Sequence, residues 1–246
     1  MNRTEKIKEL KKYIQGLSQE KTHYKDGTTY SDIVIDGKSL CKSDSARKHE
    51  NQHLRTDKIV ESVGDINGKT FIDLGSSSGY MVFRLKELGA SSCVGIECIG
   101  ELINISNKIN DIEEYDDINF YHEDFIRRVD SLPTITGTET FDCGICFSSV
   151  NAVCSKDEEW YDVGEWLESV GKVVPILFVE FSEYITNTIW EDDLPVIVEE
   201  HLREQEKENI FKRKTEEMFD NLECLKSWKL LGMTDYNRKL YRLDYK

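Results

Sequence analysis

The chain has 246 residues, enough for one large domain with a substantial core. It carries 47 acidic against 32 basic residues, a net charge of −15, with 39% hydrophobic and 10% aromatic residues. That composition excludes a disordered chain, and the acidic field disfavours nucleic acid and membrane surfaces as partners.

The opening "MNRTEKIKELKKYIQ" is charged, with Ile7, Leu10 and Ile14 at helical spacing, and lacks the apolar stretch of a secretory leader. No apolar run approaches the 18 residues of a membrane span, so a cytoplasmic protein is expected. Seven scattered cysteines read as reduced thiols. After the first helix, "TTYSDIVIDGKSL" reads as a hairpin turning at Asp36-Gly37, and a second helix is expected from about Ser45. His49 and His53 lie one turn apart in it and read as packing residues.

Strand-like and helix-like runs then alternate. Strands are expected at 69–75, 91–97, 118–124, 140–150 and 175–182, with helices at 80–88 (stopped by Gly89), 100–110 and 158–172. Short apolar runs alternating with amphipathic helices imply an α/β fold with a parallel sheet covered on both faces. The runs at 224–233 and 238–245, flanking "TDYN", add an antiparallel hairpin, for seven strands in all. The expected division is an N-terminal segment, 1–60, and a core, 61–246, interrupted by a mainly helical stretch at about 183–222. Both extra segments suit lids over the carboxyl ends of the strands, where open sheets bind ligands.

Cys143 and Cys146 in "FDCGICFSS" have metal-like spacing. On a strand, side chains three apart point to opposite faces, so no metal site is expected there.

The sequence is most informative at "FIDLGSSSGY", residues 71–80. Asp73 ends a strand; Gly75 permits a sharp turn close to a ligand, and Gly79 lets the next helix start against the strand. Ser77 stands where the dinucleotide fingerprint G-x-G-x-x-G has its second glycine, so that fingerprint is absent. The loop resembles motif I of class I S-adenosylmethionine-dependent methyltransferases, in which an acidic residue precedes G-x-G-x-G. The flanking segments extend the resemblance over residues 60–246. "VGIE" ends the second core strand with Glu97, where that family places the carboxylate that accepts from the ribose hydroxyls. "HEDF" ends the third, and Asp124-Phe125 resembles the pair that meets the adenine. "FDCGICFSSV" is similar to motif IV, beside the methionine part of the cofactor.

The resemblance implies a Rossmann-like fold with S-adenosylmethionine as cofactor. It implies contacts from Asp73, Gly75, Ser76, Ser77, Gly79, Tyr80, Glu97, Cys98, Asp124, Phe125 and Ser148. A shorter likeness, "DGKSL" followed by "SDSARKH", is to the lead-in of the tRNA wobble-uridine (carboxy)methyltransferases, and would bring Arg47 to the cofactor's carboxylate. The positions after the fourth strand, Phe147-Ser148-Ser149-Val150-Asn151, do not match the N-P-P-Y of amino-methylating nucleic-acid enzymes. Glu180, ending "PILFVE", is the candidate for orienting substrate or removing a proton. Asn151 and Trp190 are candidates for the substrate pocket. The leading expectation is methyl transfer to a small-molecule or natural-product-like acceptor. Methylation of tRNA, and a cofactor-binding protein without catalysis, stay open as alternatives, as does the oligomeric state.

Overall fold

The structure is a computed structural model, and it describes residues 1–17, 32–35, 38–41, 49–147, 163–184, 218–229 and 236–246. The N-terminal segment supplies α1 (Arg3–Gln15), the antiparallel pair β1 (Ile33–Ile35) and β2 (Lys38–Cys41), and α2 (His49–Val63). The core follows as β3 (Thr70–Leu74), α3 (Tyr80–Glu87), β4 (Ser92–Glu97), α4 (Gly100–Glu113) and β5 (Ile118–His122). A 3₁₀ turn leads into the short α5 (Leu132–Thr136), then β6 (Cys143–Phe147), α6 (Val163–Gly171) and β7 (Ile176–Tyr184). The last strands are β8 (Phe219–Lys229) and β9 (Tyr236–Tyr245). Among the described residues, no helix is long and apolar enough to cross a membrane.

Seven strands form one sheet in the order β5-β4-β3-β6-β7-β9-β8. The first five are parallel; β9 runs antiparallel to β7, and β8 antiparallel to β9. The strand order reverses on either side of β3, and ligands of such sheets bind outside the carboxyl ends of the strands at that point.

Alternation along each strand divides the core in two. Ile72, Leu74, Val94, Ile96, Leu177 and Val179 face Trp166, Leu167 and Val170 of α6. Phe71, Cys93, Ile145 and Phe178 face Ile59 of α2 and Met81, Val82 and Leu85 of α3. Cys143 belongs to the second group and Cys146 to the first, so the two thiols lie on opposite faces of β6.

The N-terminal segment is anchored rather than loosely draped. Leu10 and Ile14 of α1, with Ile33 and Ile35 of β1, pack on Leu102, Ile105, Ile109 and Ile112 of α4. Asn2 and Glu5 close a capping box at the start of α1. Arg3 donates to the Ile112 carbonyl and pairs with Glu113 at 3.1 Å, while Lys6 donates to the Asp111 carbonyl at 2.6 Å. Cations thus meet the orphan carbonyls and negative dipole end of α4, which closes on Glu114 in the left-handed conformation.

Several boundaries differ from those read in the sequence. Strand β7 continues through Glu183 and Tyr184, and β8 begins at Phe219, so both ends of the stretch expected as helical (183–222) are strand. The antiparallel ladder extends them with backbone hydrogen bonds that need no side-chain periodicity. Tyr236 and Asn237 of "TDYN" are paired strand residues, Tyr236 opposite Tyr184 of β7 and Asn237 opposite Lys229 of β8. The rest of 185–217, and the turn at Asp36-Gly37, lie outside the described residues.

Gly95 of β4 lets the loop after β3 settle on the sheet. A Cβ there would meet Phe120 at 2.6 Å and the Ser76 hydroxyl at 2.7 Å. Gly95→Ala is expected to lower stability by about 1–3 kcal/mol, the usual range for overpacking. Thermal unfolding beside the parent checks it, and an unchanged midpoint refutes the tight approach.

Candidate functional site

The loop 75–79 takes the shape its sequence demands. Gly75 and Gly79 have φ of 88° and 83°, and Ser77, at 52°, is also left-handed. The serine therefore occupies a conformation that glycine fills at lower cost. The Gly75 and Ser76 amides both donate to the Ile96 carbonyl at 2.9 Å, and the Gly79 amide donates to Ser76 at 2.9 Å. The tip is pinned from the next strand: the Ser77 amide donates to Glu97 Oε2 at 2.9 Å, and the Ile99 amide to Oε1 at 3.0 Å.

Glu97 is buried at the end of β4, and its Oε1 also accepts from the Cys98 thiol at 3.5 Å. Cys98 beside it is exposed, and burial of its thiol together with the Glu97 charge pushes it up to about 11, leaving it protonated at neutral pH. Across the ladder, His122 contacts the Cys98 carbonyl at 3.0 Å. Asp124 accepts from the Ile126 and Arg127 amides at 3.1 and 3.3 Å and is partly exposed, so it caps the turn that follows β5. The Phe125 ring is buried in the core with Trp166, centroids 6.4 Å apart.

At the β3/β6 end, Asp73, Gly75, Ser76, Ser77 and Tyr80 line a cavity of about 30 Å³ together with Gln52, Arg55 and Phe147. Burial first, and the Glu97 charge second, push Asp73 up to about 8. Burial likewise raises the Tyr80 phenol. The hydroxyls of Ser76 and Ser77 are buried without a hydrogen-bond partner among the described residues.

Gln52 and Arg55 come from α2, and sequence reasoning missed both. The signal was present: Gln52, Arg55, Thr56 and Ile59 follow i, i+3, i+4, i+7 spacing, and all four are buried. A helix whose inward stripe begins with an amide, a guanidinium and a hydroxyl presents polar groups to something inside. Arg55 is paired with Glu180 of β7, Nε to Oε2 at 2.6 Å and Nη2 to Oε1 at 3.2 Å, and its guanidinium stands over the Phe147 ring at 5.8 Å. The side chains are 3% and 0% exposed. Glu180, expected at the mouth as an orienting or proton-accepting group, is thus enclosed, with both oxygens on Arg55. Arg47, Ser148, Asn151 and Trp190 lie outside the described residues.

A strand-to-helix loop with two glycines in the left-handed region, an acidic residue before it and a carboxylate at the next strand's end define a site for an adenosyl amino-acid cofactor. With the 3-2-1-4-5-7-6 order of its strands, the molecule is of the class I S-adenosylmethionine-dependent methyltransferase type. The methyltransferase domain family matches residues 66–229, two-thirds of the sequence, and the chain belongs to that family. No curated protein matches the sequence. Among solved structures, WbdD shares the fold at TM-score 0.65 and 16% identity, over 96% of this chain and 46% of that one. EvdMO1 does so at 0.61 and 12%, over 100% and 48%. This chain thus spans about half the length of either. The N-terminal domain of EvdMO1, solved with S-adenosylhomocysteine, aligns at 0.64 and 11%, over 100% of this chain and 98% of that one.

Two outcomes follow from the buried charges. Asp73 folds with its pKa raised from 3.8, so the native state holds a proton that the unfolded chain has lost. Stability of the ligand-free protein is therefore expected to fall as pH rises from about 4 to about 8, and Asp73→Asn should flatten that slope. Melting temperatures at several pH values check it; parallel curves for the two proteins refute it. Removing one partner of a buried pair leaves the other charge uncompensated, so Glu180→Ala should cost about 3–5 kcal/mol by denaturant unfolding. A loss below about 1 kcal/mol, the range of an exposed pair, would show Arg55 to be solvated.

Proposed function

We propose that the protein transfers the methyl group of S-adenosylmethionine to a hydroxyl-bearing small-molecule acceptor. The observation that carries the reading is the presence of a carboxyl group and a guanidinium in one small cavity beside the glycine loop. Asp73 and Arg55 line it together with Ser76 and Ser77, whose hydroxyls have no hydrogen-bond partner among the described residues. An amino-acid zwitterion fits that arrangement. Arg55 receives the α-carboxylate, Asp73 the α-ammonium, and Glu97 the ribose diol through charge-assisted hydrogen bonds. Glu180 in this reading positions Arg55 and does not touch the reacting atoms.

When bound, the cofactor supplies a methyl group already activated by its sulfonium. The chain's own residues then orient and exclude water, since alignment at near-attack distance lowers such barriers by roughly 7–11 kcal/mol. Asp73 must lose its proton to hold an ammonium. Binding is therefore linked to proton release below about pH 8. The small-molecule acceptor is supported by the acidic field, which opposes nucleic acid. It is supported too by the full-length fold match to the N-terminal domain of EvdMO1, solved with S-adenosylhomocysteine and D-fucose.

The test is calorimetry with S-adenosylhomocysteine, in two buffers of different ionisation heat at pH 7, followed by a screen of labelled methyl transfer to hydroxylated acceptors. Binding with net proton release is expected, and Glu97→Ala should weaken it about tenfold or more, the worth of one charge-assisted hydrogen bond. Absence of binding overturns the cofactor assignment. Binding without proton release removes Asp73 from the ammonium. Transfer to RNA but to no small molecule overturns the acceptor class.

A further inference from the structure

A second cavity, of about 180 Å³, lies between β1, α2, α3 and the middle of α4. Among the described residues it shares only Tyr80 with the cavity that holds Asp73 and Arg55. From Ser78 it extends to Glu87, the last residue of α3, about 10 Å along the helix from the glycine loop. Nothing in the proposed methyl transfer uses it.

Two of its polar atoms are left unsatisfied. Ser78 is 2% exposed, and its hydroxyl has no hydrogen-bond partner among the described residues. Arg84 Nε is likewise buried without one, although Nη1 of the same guanidinium meets Glu87 at 2.9 Å. Buried polar groups in native proteins nearly always find partners, and two orphans in one cavity point to something that completes them. Their chemistry restricts what that is. Arg84 Nε can only donate, so the occupant must present an acceptor oxygen. The Asp32 and Glu87 carboxylates line the same space and oppose an anion. An ammonium offers no acceptor and would face the guanidinium. The remaining wall is Ile33, Val34, Phe83 and Ile109, with the rings of His53 and Tyr80, which meet edge to face at 5.9 Å.

We propose that this cavity binds an uncharged, mainly apolar molecule whose carbonyl or hydroxyl oxygen accepts from Arg84 Nε and pairs with the Ser78 hydroxyl. A dry cavity of about 150 Å³ accommodates benzene, so this one suits a small ring with one short polar substituent. The site is separate from the cofactor cleft, and the two can be filled together.

Acetophenone, benzoate and benzylamine share that body and differ in charge. They are titrated into the isotope-labelled full chain, with backbone amide shifts as the readout. Acetophenone is expected to bind with a dissociation constant on the order of 1 mM, within the limits for so small a ligand. It should shift the amides of Val34, Ser78, Phe83 and Arg84, and go on doing so at saturating S-adenosylhomocysteine. The two charged analogues should bind about tenfold more weakly or worse, as expected when a buried charge lacks a partner. Ser78→Ala and Arg84→Met should each weaken acetophenone about fivefold, near the worth of one hydrogen bond, and leave toluene unaffected. Either variant alone suffices if the other does not fold. Equal binding of all three probes overturns the proposal, as does displacement by S-adenosylhomocysteine. So do shifts centred on Gln52 and Asp73, or no shifts at the solubility limit.

Discussion

A guanidinium and a carboxylate, both removed from water, tie the helix that precedes the sheet to the strand at its centre-right. Arg55 and Glu180 are 125 residues apart, yet each satisfies a charge that the other could not leave buried alone. The arrangement has a geometric effect beyond its energy. It holds one face of α2 over the carboxyl ends of β3 and β6, turning an open sheet edge into an enclosed cavity. Gln52 and Thr56 follow Arg55 inward, and Thr56 meets Met81 of α3 at 3.5 Å. The N-terminal segment is thus part of the site, because the polar lining of the cavity comes as much from α2 as from the glycine loop.

The same cavity explains why the charges differ in character. Arg55 has a partner and stays ionised; Asp73 has burial and a neighbouring carboxylate, and holds its proton at neutral pH. A site that keeps one acid neutral until a cation arrives avoids two uncompensated carboxylates a few residues apart in space. Glu97, by contrast, accepts from two backbone amides, which serve the loop's shape as well as the carboxylate. Loop and acid stabilise one another through these bonds.

Where the sequence was legible, the reason is local. Gly75 and Gly79 mark a turn because only backbone without a Cβ takes that path cheaply, and the strand-helix alternation follows from side-chain period alone. Glu97 and Asp124 could be placed because each ends a strand whose neighbours are unambiguous. Arg55 could not, since its significance depends on Glu180, and no local pattern joins a helix near residue 55 to a strand near 180. The extents of β7 and β8 were hidden for another reason. The outer part of β8 pairs with β9 in a ladder with two register shifts, and that of β7 pairs with β9 through the backbone.

The position of β9 has a consequence for biosynthesis. It follows β8 in the chain, yet it lies between β7 and β8 and is hydrogen-bonded to both. Until residues 236–245 leave the ribosome, β7 presents an open edge along Ile176–Tyr184 and β8 has no strand to join. A nascent chain is thereby left with exposed pairing surface through the synthesis of the next sixty or so residues, the interval in which edge-to-edge association between neighbouring chains on one messenger is most favoured. A chaperone or rapid completion of the sheet shortens or covers that window.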